Sequence, residues 1–334
     1  MILPFIVKYM SLLRSAFHQK RLLNLLLVVY CYAAGKSKVS GLPFLLQLEP
    51  TNRCNLNCAL CLTGLKKLKR PEADISFSQF SRIIDHLEGS LVYLVLYNLG
   101  ESLLHPQIYD MIAYAKKKNI FVRLSTNGEF TRESDIPDII NCGLDELVVS
   151  LDFITADTYN KYKRSRSFQK VLDNIQALMK IRRSNCKPFI NVQLLLVREN
   201  EGLIREFYDL AARLGADKAL LKKARVNFPQ VQPDKSILPR RQRYIRECYK
   251  DNYKRTGCCR PWFSTVVLSD CSVVPCCFDM QGAYRFGDTA ASRFSRIWNN
   301  GTYTGFRSQA LRDINGIALC KECSLSDYLD NFTR

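Results

Sequence analysis

The chain has 334 residues and 14 cysteines, with 49 Lys plus Arg against 31 Asp plus Glu and a formal net charge of +18. Hydrophobic residues at 47% and charged residues at 24% are globular proportions, which excludes a mainly disordered or collagen-like chain. No apolar run reaches the ~18 residues that span a bilayer, so a polytopic membrane protein is excluded too. The charge excess calls for an anionic partner, and the cysteines call for disulfides, metal or redox chemistry.

Residues 1–42 are apolar but interrupted by Lys8, Arg14, Lys20 and Arg21. A secretory signal has a basic start, an unbroken apolar core and a small-residue cleavage site, and the order at the start of this chain is different. The pattern predicts one or two amphipathic helices. They either pack against the rest of the protein or rest on a membrane surface with Arg and Lys at the head groups. A reducing cytoplasm follows as the default, with peripheral membrane contact as the alternative. In that compartment cysteines serve as metal ligands rather than disulfides.

From Pro43 strand and helix signals alternate. Strands are predicted over Pro43–Glu49, Leu91–Asn98, Ile120–Gly128, Glu146–Asp152, Phe189–Val197 and Lys218–Val226. Helices are predicted from the N-cap Ser76, over Pro106–Asn119, over Ile136–Gly143 with Gly143 as its stop, over Phe168–Arg183 and over Gly202–Gly215. Six strand–helix units in residues 43–226 argue an α/β chain with a parallel sheet, either a partial barrel or an open doubly wound sheet. Residues 227–257 are polar, hold three prolines and carry the basic run RRQRYIRECYKDNYKR, which reads as a connecting segment with some helix. From Cys258 the alternation stops and cysteines crowd together, predicting a smaller domain over 258–334.

After the first strand comes EPTNRCNLNCALC, with Cys54, Cys58 and Cys61 spaced C-x3-C-x2-C. Three thiolates in one loop can converge on a metal centre. Structural zinc takes four closed ligands, and no histidine stands near enough to be an obvious fourth. A three-thiolate set leaves one iron of a cubane cluster open for substrate or cofactor. A zinc knuckle is the competing reading. The motif resembles that of the radical S-adenosylmethionine (radical SAM) enzymes. The resemblance implies a partial (β/α)6 TIM-type barrel with a small C-terminal cysteine-rich α+β domain. It also implies a [4Fe-4S] cluster that binds S-adenosylmethionine, reductive cleavage of its sulfonium, and a 5′-deoxyadenosyl radical that abstracts hydrogen. On that resemblance Gly100 and Glu101 correspond to the GGEP element, with Leu99 and Ser102 departing from it. Ser125 and Asn127 correspond to the third strand end, and Ser150 and Asp152 to the ribose-contacting position. Asn200 matches weakly. Each of these polar residues alone would be read as a turn or cap; their recurrence at successive strand ends favours cofactor binding.

The C-terminal segment CCRPWFSTVVLSDCSVVPCCFD predicts a β-hairpin that carries Cys259 and Cys276 together. It resembles a twitch domain, the shortened SPASM-type extension of radical SAM enzymes. That resemblance implies that Cys259, Cys276, Cys320 and Cys323 hold one auxiliary [4Fe-4S] cluster, with structural zinc as the alternative. Cys271 stands where the family usually has glycine. Cys258, Cys271 and Cys277 read as buried or adjacent thiols, with replacement of a named ligand as the alternative. Cys31, Cys142, Cys186 and Cys248 read as structural. The function expected is oxidation of a sugar, cyclitol or lipid-linked intermediate, with a flavodoxin or ferredoxin as reductant. RNA, for which no recognised binding motif is visible, a peptide, and a non-catalytic iron–sulfur or zinc module are the alternatives. His105 is one candidate base and equally a helix-start residue.

Overall fold

In the computed structural model, which describes residues 2–132, 134–182, 187–224, 235–241, 257–321 and Cys323, two helices precede the sheet: α1 (Ile2–Ala16) and α2 (Gln19–Ala33). Six strands follow: β1 (Leu45–Leu48), β2 (Tyr93–Val95), β3 (Phe121–Thr126), β4 (Glu146–Asp152), β5 (Phe189–Leu196) and β6 (Lys218–Lys223). Each pairs in parallel with the next. Between them run α3 (Phe77–Leu87), α4 (Ile108–Lys117), α5 (Asp135–Asn141), α6 (Ala156–Lys163), α7 (Phe168–Arg182) and α8 (Ile204–Arg213). The six predicted strands are all present. Ser76 does cap α3, in a reciprocal capping box with Gln79. The sequence reading passed over α6, although Thr155 caps it by accepting from the amide of Thr158.

The C-terminal part comprises α9 (Arg260–Phe263), β7 (Ser264–Val267), β8 (Ser272–Val274), β9 (Gly287–Asp288), α10 (Phe294–Trp298), α11 (Gly301–Arg312) and α12 (Ala318–Lys321). The predicted hairpin is β7–β8, and it joins the main sheet. Strand β7 lies parallel to β1, giving the order β6-β5-β4-β3-β2-β1-β7-β8-β9. The fold is therefore a six-stranded partial barrel whose first strand is extended by a cysteine-rich hairpin and helices. Of the basic connecting segment, only 235–241 and Gly257 are among the described residues, and Cys186 and Cys248 fall outside them.

Alternation along the strands sorts two environments. Leu46, Leu48, Leu94, Leu96, Val122 and Leu124 are fully buried under the helices. The opposite face carries Gln47, Tyr93, Arg123, Ser125, Glu146, Ser150, Asn191 and Gln193, aligned by the strand register. This barrel interior is rich in polar groups. Helix α1 closes its lower end. Lys8 Nζ reaches Glu146 Oε1 at 2.8 Å, Ser15 Oγ donates to the Val92 carbonyl at 2.7 Å, and Leu12 packs on the Tyr93–Phe121 stack. No helix among the described residues is long and apolar enough to cross a membrane.

Candidate functional site

Cys54, Cys58 and Cys61 stand half-buried in the loop that leaves the C-terminal end of β1, where ligands bind in sheets of this type. The loop is clasped at its base. Thr51 bridges Asp74, the Asn52 amide donates to the Ala73 carbonyl at 3.3 Å, and the Ile75 amide to Pro50 at 2.9 Å. Gly64 lets the backbone fold against itself, because a Cβ there would lie 2.4 Å from both the amide nitrogen and the carbonyl oxygen of Cys58. Thr63 Oγ1, two residues past Cys61, is buried without a partner among the described residues.

The neighbouring strand ends are tied to this loop. Gly100 has φ +76, and a Cβ on it would meet the carbonyl oxygens of Thr51 at 2.5 Å and Arg53 at 2.7 Å. Only glycine allows that approach. The Glu101 amide donates to the Arg53 carbonyl at 2.8 Å. The Glu101 carboxylate is buried and accepts from the amides of Leu103 at 3.1 Å and Asn127 at 2.7 Å. Burial pushes its carboxyl up, against those amides, Thr126 and Lys163. The resemblance gives this carboxylate to the cofactor's ammonium group; here Oε1 holds its own loop at Leu103 and Oε2 joins that loop to the end of β3 at Asn127. Asn127 Nδ2 donates to Asn55 Oδ1 within the cysteine loop at 2.8 Å. Ser125 is half-buried on β3, on the interior face.

At the end of β4, Asp152 has φ +64, a left-handed conformation that Asp tolerates better than most residues. Gln193 Nε2 lies 3.2 Å from both Ser150 Oγ and Asp152 Oδ1. Lys163, at the end of the overlooked α6, is fully buried. Its Nζ sits 2.6 Å from Asp152 Oδ2 and 2.9 Å from the Ser150 carbonyl. Burial opposes its charge, yet Asp152 and Cys58 outweigh burial and keep the ammonium above its ordinary range. The Ala59 amide donates to the Tyr162 carbonyl at 2.7 Å, so α6 also holds the cysteine loop. Burial pushes the Cys54 thiol up to about 12 and the Cys58 thiol up to about 11, with Lys163 pulling Cys58 down. Metal loading must therefore expel protons from these thiols.

Two other candidates are committed elsewhere. The side chain of Asn200 closes its own loop, accepting from the Val197 amide at 2.8 Å and donating to the Leu195 carbonyl at 2.8 Å. His105 is buried with Nε2 2.8 Å from the Ile75 carbonyl and Nδ1 accepting from the Gln107 amide at 3.1 Å. Burial lowers its pKa, and both ring nitrogens are engaged by backbone groups, the arrangement of a helix-start residue.

Glu49, at the top of β1, was not singled out in the sequence. It is fully buried and accepts from Arg70 Nη2 at 2.8 Å, Asn98 Nδ2 at 3.1 Å, the Leu99 amide at 3.2 Å and Ser269 Oγ at 2.9 Å. One carboxylate thus locks the cysteine loop, the β2 loop and the hairpin turn together.

The second cysteine group lies toward the other end of the hairpin. Cys259 caps α9 just before β7, and Cys276 stands two residues beyond β8. Cys320 lies in α12, and the Cys323 amide donates to the Cys320 carbonyl at 3.1 Å, closing the C-x2-C turn. Burial pushes the Cys276 thiol well up, Cys277 adds to this, Arg260 opposes it, and Cys323 adds again. Cys277 accepts from Arg260 Nη1 at 3.2 Å and packs on the interior-facing Val266, Leu268 and Val274. Burial raises the phenol of Tyr32 in α2, and Cys259 and Cys258 add to this. Cys271 is separate. It sits in the hairpin turn with φ +66, which accounts for the glycine usual there, and three-residue β8 stands between it and Cys276.

Both cysteine sets suit iron–sulfur clusters by donor type, since soft thiolates are the ligands such clusters take. Among the described residues no three Cys, His, Asp or Glu side chains converge on a single-ion site.

The sequence pattern of the Radical SAM superfamily matches residues 48–211, and that of SPASM, an iron–sulfur cluster-binding domain, matches residues 258–324. The chain is 25% identical over 323 residues to the tungsten-containing aldehyde ferredoxin oxidoreductase cofactor-modifying protein of Pyrococcus furiosus, covering 85% of this chain and 88% of that protein. It is 29% identical over 174 residues to the mycofactocin maturase MftC of Mycobacterium tuberculosis, covering 52% of this chain and 43% of that protein. Two solved structures share the fold. Streptococcus suis SuiB bound to S-adenosylmethionine superposes with a TM-score of 0.66 at 13% identity, over 91% of this chain and 77% of that one. BtrN in complex with AdoMet and 2-DOIA superposes with a TM-score of 0.52 at 17% identity, over 84% and 93%. The chain is a member of the radical SAM superfamily, an enzyme that uses S-adenosylmethionine with an iron–sulfur cluster and carries a C-terminal SPASM iron–sulfur domain.

Proposed function

We propose that this radical SAM enzyme oxidises an anionic, hydroxyl-bearing small molecule, such as a sugar, cyclitol or lipid-linked intermediate. Cys54, Cys58 and Cys61 hold the cluster that binds S-adenosylmethionine. Cys259, Cys276, Cys320 and Cys323 hold one auxiliary [4Fe-4S] cluster. The observation that carries the reading is the knitting of the β2, β3 and β4 strand ends onto the cysteine loop through Glu101, Asn127 and Lys163. When bound, the cluster and the cofactor supply one-electron reductive cleavage and a radical able to take hydrogen from an unactivated carbon.

The chain's own residues do the rest. Gly100 leaves backbone room at the cofactor, and Ser125, Asn127, Ser150 and Asp152 supply hydroxyl, amide and carboxylate groups for its amino-acid and ribose parts. The interior face, with Gln47, Arg123 and Gln193, suits a polar substrate rather than an apolar one. Oxidising an alcohol removes a hydrogen atom, an electron and a proton. The hydrogen atom goes to the cofactor-derived radical, and the auxiliary cysteines hold the group suited to accept the electron. A flavodoxin or ferredoxin is the expected source of the initiating electron.

Anaerobically reconstituted protein with dithionite should release 5′-deoxyadenosine and contain about eight irons per chain. Release no higher than in a Cys54→Ala variant sinks the catalytic reading, and iron near four per chain sinks the second cluster. Acceleration of release by a peptide, but by no sugar phosphate or cyclitol, would replace the substrate class.

A further inference from the structure

Residues 1–48 contain no Asp or Glu, while they hold Lys8, Arg14, Lys20, Arg21, Lys36 and Lys38. In this acid-free stretch several polar side chains are turned inward, while many large apolar ones lie on the outward faces. Ser11 and Ser15 of α1 meet Asp145 and the Val92 carbonyl. Arg21 of α2 is buried and donates to the carbonyls of Ser15, Glu88, Lys118 and Asn119, and Asn24 bonds the backbone of Leu42. The outward faces carry Met10 at 61% exposure, Phe17 at 70%, Leu23 at 60% and Leu26 at 61%. Eleven of the fourteen exposed large hydrophobic side chains among the described residues lie between Ile6 and Tyr30. A helix pair washed by water presents the reverse arrangement.

Beside Phe17 an open cleft of about 620 Å³ is lined by Arg14, Lys20, Lys117 and Lys118, together with Asp85 and Glu88. Both carboxylates are engaged by Lys118, each at 2.9 Å. Arg14, Lys20 and Lys117 have no ion pair among the described residues and remain for an anion from outside.

We propose that α1 and α2 form a monotopic platform that seats the enzyme on an anionic phospholipid bilayer. The apolar face enters the boundary between head groups and acyl chains, and the Arg14–Lys20–Lys117 cleft receives a lipid phosphate. Apolar burial and cationic head-group contacts act together in such binding. A second copy of the chain is the poorer occupant, since two acid-free faces would meet with like charges only. Because α1 seals the barrel at the starts of β2 and β4, the platform lies at the end opposite the cysteine loop. The barrel mouth then opens away from the bilayer.

The test is co-sedimentation of the full-length holoenzyme with phosphatidylcholine vesicles, with and without phosphatidylglycerol. The wild type should bind the anionic vesicles. Both Leu23→Glu/Leu26→Glu and Arg14→Glu/Lys20→Glu should weaken binding at least about tenfold. The altered side chains face solvent, so melting temperature should be unchanged. Absence of wild-type binding to anionic vesicles overturns the proposal. So does unchanged binding by either variant, or a dimer in solution that Leu23→Glu/Leu26→Glu dissolves while vesicle binding persists. Release of 5′-deoxyadenosine by the non-binding variants separates failure of the platform from failure of the catalytic reading.

Discussion

Cys271 and Cys276 are five residues apart and differ in almost everything that decides a cysteine's role. Cys271 occupies a left-handed turn position at a strain of about 1 kcal/mol, where glycine is free of it. Cys276 stands past the far end of β8, where Cys277 and Cys323 act on it. Cys271→Gly should leave iron content unchanged and stability within about 1 kcal/mol, because released strain offsets lost packing. Cys276→Ala should halve the iron content. Iron assay and urea melts on the two variants check both outcomes. Lys163 is the second residue whose place decides its effect. A buried cation beside Cys58 favours the reduced, more negative state of whatever that thiolate ligates. Lys163→Met should lower the midpoint potential of the cluster at Cys54–Cys61, and Lys163→Arg should largely restore it, read by a redox titration followed by electron paramagnetic resonance. The motif cysteines were legible from spacing alone. Lys163 was not, because its charge matters only after α6 folds back over the end of β4. Glu49 and His105 are both polar residues near strand ends; only their partners in the fold separate a locking carboxylate from a helix-start imidazole.

Elements with strong periodicity or strong punctuation were legible in the chain. The six strands and α3, with its Ser76–Gln79 box, are where patterning placed them. Helix α6 escaped because ADTYNKYK has no apolar stripe, and only Tyr159, Tyr162 and Lys163 are buried. For α1 the sequence left packing and membrane contact as alternatives; the fold shows the packed face, and the proposed platform concerns the outward one. Its inward face depends on charge. Burial raises the Glu146 carboxyl, but Arg123 and Lys8 outweigh burial and hold it below the ordinary range. A carboxyl depressed in the folded state stabilises fully above its unfolded pKa, and that contribution is lost as pH falls through the folded value. Lys8→Met should therefore cost about 1–3 kcal/mol at about pH 7. The gap to wild type should narrow toward about pH 3, as Glu146 takes up its proton. Urea melts at the two pH values measure it. A gap independent of pH would mean that Lys8 acts through its contact with the Phe189 ring rather than its charge.

Across the whole molecule the Glu49–Arg70 pair joins what the sequence kept as separate segments. Both side chains are at most 2% exposed, and the carboxylate also takes Ser269 from the hairpin turn. Removing one partner of a buried pair costs about 3–5 kcal/mol because the other charge is left uncompensated. Arg70→Met should show that loss in chemical denaturation, with the Cys54 loop and the hairpin losing protection from hydrogen exchange together. Exchange confined to one of them would mean that the two unfold independently. A second tie, Arg307, is fully buried and donates to the carbonyls of Ser37, Pro261 and Trp298, binding the N-terminal linker to α11. Neither tie was visible beforehand, since each reaches a residue far away in the chain, Glu49 to Ser269 and Arg307 to Ser37.

The pairing of β7 with β1 has a consequence for the order of synthesis. A ribosome releases β1 more than two hundred residues before β7. During that interval one edge of β1 offers bare amides and carbonyls, next to a loop of three free thiols. An uncovered edge of this kind recruits stray strands, and nascent domains meet that hazard while still incomplete. Emergence of Ser264–Val267 covers that edge.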